Sequence, residues 1–148
     1  MQVGDTFTQT HTLTQDAFNR FAALSGDDNP IHVDPEFSAR TRFGKPVAHG
    51  MYLYSLICGV IVQQFPGAIQ VSQALMFPAP SLVGETITVC ARVIEIQNDA
   101  IRFETTVVKA NGELGLQGEA VWRVTPPPQP SPARGGGRTA FLIAESNR

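Results

Sequence analysis

Asp27 and His32 are candidate catalytic residues, a carboxylate and an imidazole five positions apart. Pro30 lies between them, stiffens the segment and biases Asn29 toward an extended conformation. A carboxylate and an imidazole that face one point can take a proton from water and return one, as general acid–base catalysis requires. The same Asp-x-Asn-Pro pattern is also typical of a structural turn, in which side-chain oxygens bind nearby main-chain N–H groups. Spacing alone therefore leaves both interpretations open.

A second candidate position is Gly50, which follows His49 at the head of a long apolar segment. If that segment is a helix, its first N–H groups are free and its N-terminus carries a partial positive charge. Glycine there lets a ligand approach the main chain closely, and such N–H groups can stabilise an oxyanion that develops on a carbonyl. The alternative is that Gly50 serves only packing and that His49 only caps the helix.

These residues must be positioned by helices, and the sequence predicts three of them. Thr14 is a suitable N-cap for a helix that ends at Gly26, and the Asp34-Pro35 pair predicts the start of a second, short helix. The third helix covers residues 50–64 and is apolar on nearly every side, so other parts of the fold must wrap around it. Residues 25–51 then form a long connection that carries the candidate chemistry.

Segments rich in β-branched residues supply the expected wrapping. They lie at residues 7–13, 69–77, 86–96, 101–109 and 114–124, and Asn98-Asp99 and Asn111-Gly112 are hairpin signals between the last three. The pattern predicts an α+β fold, in which a curved antiparallel sheet is rolled around one long helix. A single copy would leave an apolar edge or face of the sheet exposed, which favours a homodimer.

Composition limits the classes of function. The chain has 148 residues, 43% of them hydrophobic, and a formal net charge of −2, which suits one folded domain and gives no sign of a nucleic-acid-binding surface. The apolar run at residues 51–62 is shorter than the ~20 residues needed to span a bilayer, and the N-terminus does not read as a signal peptide. Cys58 and Cys90 lack metal-ligand spacing and are typical of buried thiols in a reducing compartment. Together with the short apolar run, they lead us to expect a cytoplasmic protein without a membrane partner.

The composition changes near residue 125. Residues 126–148 are rich in proline and glycine, which predicts an appended, flexible C-terminal tail beside a working domain at residues 1–125. The sequence has no dinucleotide-binding glycine pattern, no phosphate-binding loop and no nucleophile elbow. We therefore expect neither a metal nor another cofactor.

An ordered series of motifs resembles the hydratase motif of the MaoC-like family, and most closely its short, single-domain (R)-specific enoyl-CoA hydratases. The series runs FAALSGD, N-P-x-H, D-P and F-G-x-P-V-x-H-G-M, and continues more weakly through LVGETI and QGEAVW. It covers residues 1–124. The resemblance implies the hot-dog fold, a long central helix wrapped by an antiparallel sheet, usually as a dimer.

The resemblance also assigns roles by position. It implies that Asp27 and His32 are catalytic, that Asn29 holds the loop, and that the main-chain N–H of Gly50 binds the oxyanion. Asp28 falls on a variable position and is not counted. The implied partner is an acyl-CoA thioester, and the implied reaction is the reversible hydration of trans-2-enoyl-CoA to (R)-3-hydroxyacyl-CoA.

Two alternatives stay open. One is a dehydratase for a branched or dicarboxylic acyl-CoA, or for an acyl carrier protein substrate, and the other is a non-catalytic hot-dog protein that binds acyl-CoA. Hot-dog thioesterases and many acyl-carrier dehydratases use a carboxylate from the central helix, whereas residues 50–64 contain no Asp, Glu or Lys. This absence favours a site built on Asp27 and His32.

Overall fold

The computed structural model describes residues 1–124, so the predicted C-terminal tail lies outside the described residues. In chain order the elements are β1 (Thr6–Thr12), α1 (Gln15–Ser25), α2 (Pro30–Val33), α3 (Pro35–Ala39), α4 (Gly50–Gln64), β2 (Ile69–Met76), β3 (Thr86–Gln97), β4 (Ala100–Lys109) and β5 (Leu114–Arg123). None of the helices in this part of the chain is long and apolar enough to cross a membrane.

The strands form one antiparallel sheet in the order β1-β3-β4-β5-β2. The turn between β3 and β4 holds Asn98 at a φ of 53°, and the turn between β4 and β5 holds Gly112 at a φ of 86°, so both predicted hairpins have turn residues suited to their backbone. The pairing register shifts once in each of three strand pairs, β2 with β5, β3 with β4, and β4 with β5. Such bulges bend the strands, which lets the sheet curve around α4.

The core lies between the concave face of the sheet and α4. The helix buries Leu53, Ile57, Val60 and Ile61. The sheet contributes alternate residues from its inner face, which are apolar and fully or almost fully buried: Ile87, Val89, Ala91, Val93, Ile101, Phe103, Val107, Leu116, Ala120 and Trp122. The α+β prediction of a long apolar helix wrapped by a curved sheet is therefore confirmed.

Local signals also define the helices before α4. The Thr14 side chain accepts from the N–H of Ala17, Gly26 ends α1 at a φ of 79°, and Asp34 caps α3. Part of the segment expected to be a plain connection is instead the short helix α2. Asn29 caps this helix and Pro30 occupies its first turn, where a missing N–H costs nothing.

Candidate active site

Asp27 and His32 lie close together, with their side chains facing each other. Asp27 follows the glycine that ends α1, and His32 lies on α2, so two helix ends set their separation. Oδ2 of Asp27 is 3.8 Å from Nε2 of His32, and the side chains are 55% and 15% exposed. The pair is therefore open to solvent on the carboxylate side and sheltered on the imidazole side.

A hydrogen bond decides which nitrogen of His32 carries the proton. Nδ1 lies 2.7 Å from the carbonyl oxygen of Val47, and a carbonyl oxygen can only accept, so Nδ1 is protonated. In neutral His32 the lone pair is then on Nε2, which is the nitrogen that faces Asp27. Val47 is itself held, because its N–H donates to the carbonyl of Ile31 and it forms a bridge with Leu82.

This arrangement suits a water molecule. An ionised Asp27 and a neutral His32 both present acceptors, so they cannot bond each other directly. A water at about 2.8 Å from both atoms can donate one hydrogen to each, which leaves its lone pairs free to attack a carbon atom. The pair can thus orient a water and remove its proton.

The side chain of Asn29 holds the main chain at the start of α2. Its Oδ1 accepts from the N–H of Ile31 at 3.1 Å and so caps α2, the helix that carries His32. Asp28, next to it, is exposed. Asn29 therefore supports the geometry of the pair from outside it.

Gly50 is the first residue of α4, and no acceptor within residues 1–124 is bonded to its N–H. The space beside it is occupied by an aromatic ring, which the sequence did not predict. A Cβ built on Gly50 would lie 2.7 Å from Cε1 and Cζ of Phe77. Phe77 is 46% exposed, and the atoms nearest to Gly50 lie at the far end of its side chain.

His49 is the site residue that sequence reasoning missed. It is 2% exposed, its Nε2–H donates to the main-chain carbonyl of Asp27 at 2.9 Å, and its ring stacks on that of His32 at 3.9 Å. His49 occupies the N-cap position of α4, but its side chain makes no capping bond, and its contacts with Asp27 and His32 go beyond capping. The available signal was its place in the H-G-M motif, but its contacts depend on the folding of distant segments.

The environment of His49 favours its neutral form. Burial lowers the pKa of His49, the hydrogen bond to the carbonyl of Asp27 opposes this, and the neighbouring His32 lowers the pKa further. The net direction is downward from the usual 6.5. A neutral His49 with its proton on Nε2 leaves Nδ1 buried without a hydrogen-bond partner among the described residues.

Asp27, His32 and His49 could be taken for a metal site, since ligand-capable atoms of all three lie within 4.8 Å of one another. The two imidazole planes are only 25° apart and stacked, so their in-plane lone pairs do not converge on one point as the ligands of a tetrahedral ion do. One nitrogen of each ring also donates to a carbonyl. The cluster therefore fits proton transfer better than metal coordination.

The MaoC-like domain model matches residues 2–115. The chain belongs to the MaoC-like family. An (R)-specific enoyl-CoA hydratase of Aeromonas caviae is 42% identical to this MaoC-like chain over 105 residues, 68% of this chain and 78% of the relative. A 3-hydroxybutyryl-CoA dehydratase of Methylorubrum extorquens is 38% identical over 124 residues, 80% of this chain and 79% of the relative.

A solved structure extends the likeness to the fold. An (R)-hydratase from Aeromonas caviae involved in PHA biosynthesis matches with a TM-score of 0.82 at 34% identity, over 84% of this chain and 98% of that one. The hot-dog fold implied by the resemblance is thereby confirmed for this MaoC-like protein.

Proposed function

We propose that this protein is a hydro-lyase that reversibly hydrates a trans-2-enoyl-CoA to the (R)-3-hydroxyacyl-CoA. The observation that carries the proposal is the pair of acceptors, Oδ2 of Asp27 and Nε2 of His32, 3.8 Å apart and able to share one water. The hydratase and dehydratase names of relatives at 38–42% identity support the substrate class. The (R) configuration is carried over from the Aeromonas caviae enzyme.

The helix N-terminus prepares the substrate. The thioester oxygen would accept from the N–H of Gly50, helped by the partial positive charge of the 15-residue helix α4. This polarises the conjugated system, makes the β-carbon electrophilic and stabilises the enolate-like charge of the transition state. Gly50 stands beside the pair because its neighbour, His49, contacts both Asp27 and His32.

The pair then moves the protons. The water oxygen forms a bond to the β-carbon as Asp27 takes a proton from it, while His32 holds the water. The pair then delivers this same proton to the α-carbon, so both side chains return to their starting protonation states. One O–H bond of water is broken, one C–O bond and one C–H bond are formed, and the C=C bond becomes single. The net result is addition of water with no change in the enzyme, and the reverse sequence is dehydration.

The assay follows loss of the enoyl-thioester absorbance with crotonyl-CoA, with the hydrated product identified by an (R)-specific or an (S)-specific 3-hydroxyacyl-CoA dehydrogenase. We expect rapid loss of absorbance and oxidation by the (R)-specific enzyme only. Saturable binding of acyl-CoA without hydration would instead support the non-catalytic alternative. Faster turnover of a crotonyl group attached to acyl carrier protein would indicate that this carrier, rather than CoA, holds the substrate.

A homodimer is the second part of the proposal. Among residues 1–124, β2 pairs only with β5, so no described strand covers its other edge, and it exposes Ile69, Val71 and Met76. β1, at the opposite edge of the sheet, exposes threonines instead. A free apolar edge is a template for pairing with another strand, which favours a second copy docked along β2.

Light scattering on a sizing column tests the dimer. We expect the parent chain to elute as a dimer and Val71→Lys to elute as a monomer. The matched control, Thr8→Lys on the exposed side of β1, should remain dimeric. A monomeric parent, or a Val71→Lys variant that stays dimeric, would contradict this arrangement.

The proposed compartment is the cytoplasm. Both cysteines, Cys58 and Cys90, are free thiols, which is the ordinary state of cysteine in a reducing environment.

A further inference from the structure

His49 is a buried titratable group to which the proposed mechanism gives no task. It joins the two residues of the pair by two different contacts. Its Nε2–H donates to the carbonyl oxygen of Asp27 across 22 positions of sequence, and its ring stacks on His32 with centroids 3.9 Å apart. Its other nitrogen, Nδ1, is buried without a hydrogen-bond partner among the described residues. An unsatisfied buried polar atom is unfavourable, and an apolar side chain at position 49 would avoid it.

The first contact matters because Asp27 is otherwise weakly held. Its main-chain N–H donates to the hydroxyl of Ser25, a residue only two positions away in sequence, at 3.2 Å. Within the described part of the chain, the bond from His49 is therefore the hydrogen bond that connects the main chain of Asp27 to a distant element of the fold. A carboxylate that is more than half exposed keeps its position only if its main chain does.

The second contact fixes the plane of the other residue. His49 lies against Phe21 on α1, with ring centroids 4.9 Å apart, and stacks on His32. The bond from Nδ1 of His32 to Val47 sets the direction of its ring, and the stack sets its tilt. The two constraints together leave Nε2 of His32 aimed at Asp27.

We infer that His49 is a positioning residue, which holds Asp27 through its main-chain carbonyl and His32 through ring stacking, so that both acceptors meet one water. The inference rests on the proposed hydratase activity. A neutral ring suits this task, since it adds no charge beside Asp27 and His32. The direction in which burial shifts the pKa of His49 is in keeping with this.

Three substitutions separate the two contacts. His49→Gln loses the ring, but its amide nitrogen reaches roughly as far as Nε2 and can still donate to Asp27. His49→Asn is the matched control, because its amide nitrogen stops near the position of Nδ1. His49→Phe keeps an aromatic ring without a donor. His11→Gln, at a histidine on β1 that is bonded to Gln9, controls for the loss of a histidine elsewhere.

We expect His49→Asn and His49→Phe to lower kcat about 100-fold, the scale of a small misplacement of catalytic groups, with KM changed less than threefold. His49→Gln should recover at least tenfold of that loss, and His11→Gln should match the parent. Gln and Asn remove the same buried ring, so a difference in kcat between them reports the bond to Asp27 rather than general loosening. Equal kcat for Gln and Asn, or a kcat for His49→Phe within threefold of the parent, overturns the inference.

A measurement without substrate keeps this inference separate from the proposed activity. The chain has three histidines, so nitrogen-15 NMR can identify the protonated nitrogen of each. We expect His49 to be neutral at pH 7 with its proton on Nε2, and we expect the amides of residues 27–29 to exchange faster in His49→Asn than in His49→Gln. A proton on Nδ1 would overturn the inference even in an active enzyme. A parent that hydrates no enoyl thioester overturns the proposed function instead.

Discussion

The carbonyl oxygen of Val47 accepts a hydrogen bond from Nδ1 of His32 at 2.7 Å. Val47 lies in the segment that leads directly into α4, so the residue that orients the imidazole is only three positions from Gly50. The acid–base pair and the free N–H at the helix start are thus held by one short stretch of chain. This stretch is anchored in turn, because the N–H of Ala48 donates to Ser81 at 2.8 Å.

Asp27 and His32 should behave as one unit if they share a water. We expect Asp27→Asn and His32→Ala each to lower kcat by several orders of magnitude, and the double variant to be little worse than either, because losses within a catalytic unit are not additive. Asp28→Asn is the matched control and should stay within a few-fold of the parent. Steady-state kinetics with crotonyl-CoA checks this, and fully additive losses would show that the two residues act independently.

Gly50→Ala should separate activity from stability. The new Cβ would stand beside the N–H that we assign to the thioester oxygen, and we expect turnover to fall ~100-fold, the scale of losing one oxyanion donor. The clash with Phe77 involves the far end of a half-exposed ring, which can move, so we expect the free energy of unfolding to change by less than about 1 kcal/mol.

Gly59 provides the control for this substitution. It lies within the same helix, and apart from its chain neighbours and the nearby helix backbone, a Cβ there meets no atom of the described residues within 4 Å. Gly59→Ala should raise the free energy of unfolding by up to ~1 kcal/mol through helix propensity and leave turnover unchanged. Urea unfolding and the crotonyl-CoA assay on both variants decide the matter, and full activity in Gly50→Ala would place the oxyanion donor elsewhere.

Stability should depend on pH through His49. Because the pKa of His49 is lower in the folded protein than its usual 6.5, the unfolded chain binds a proton more readily as the pH falls below that value. The contribution of His49 to stability is therefore present above pH 6.5 and is lost progressively below it. Urea midpoints of the parent should fall more than those of His49→Gln over this range. Parallel pH profiles would mean that His49 titrates normally in the folded state.

Lys109 should stabilise the fold rather than the site. Its buried Nζ lies 3.1 Å from carboxylate oxygens of Glu85 and Glu113 and donates to the carbonyl of Pro80 at 3.0 Å. Lys109→Met removes the donor that these three oxygens share, and we expect a loss of about 1–3 kcal/mol in the free energy of unfolding. Arg92→Gln, which removes an exposed pair with Glu104, should cost no more than about 1 kcal/mol. Comparable losses of unfolding free energy in both variants would show that the buried contacts of Lys109 stabilise the fold no more than an exposed ion pair does.

Much of the fold could be predicted because the signals are local. Residues 50–64 are apolar on nearly all sides, which requires a buried helix, and Asn111-Gly112 suits a hairpin because glycine accepts the positive φ found there. Thr14 and Asp34 predict helix starts since each side chain bonds main-chain N–H groups two or three residues ahead. Asp27, His32 and Gly50 are predicted as site residues by the resemblance of one continuous motif to the MaoC-like family.

The contacts between these residues depend on how distant segments pack. The stacking of His49 on His32 and the ring of Phe77 over Gly50 join segments that are far apart in sequence, and no local propensity specifies such contacts. The tautomer of His32 likewise depends on a carbonyl 15 positions away. The sequence therefore indicates which side chains are candidates for the chemistry. The distances between them, the protonated nitrogens of His32 and His49, and the positioning role of His49 follow from the packing of α1, α2 and α4. These properties depend on contacts between segments that are distant in sequence, which local propensities do not specify.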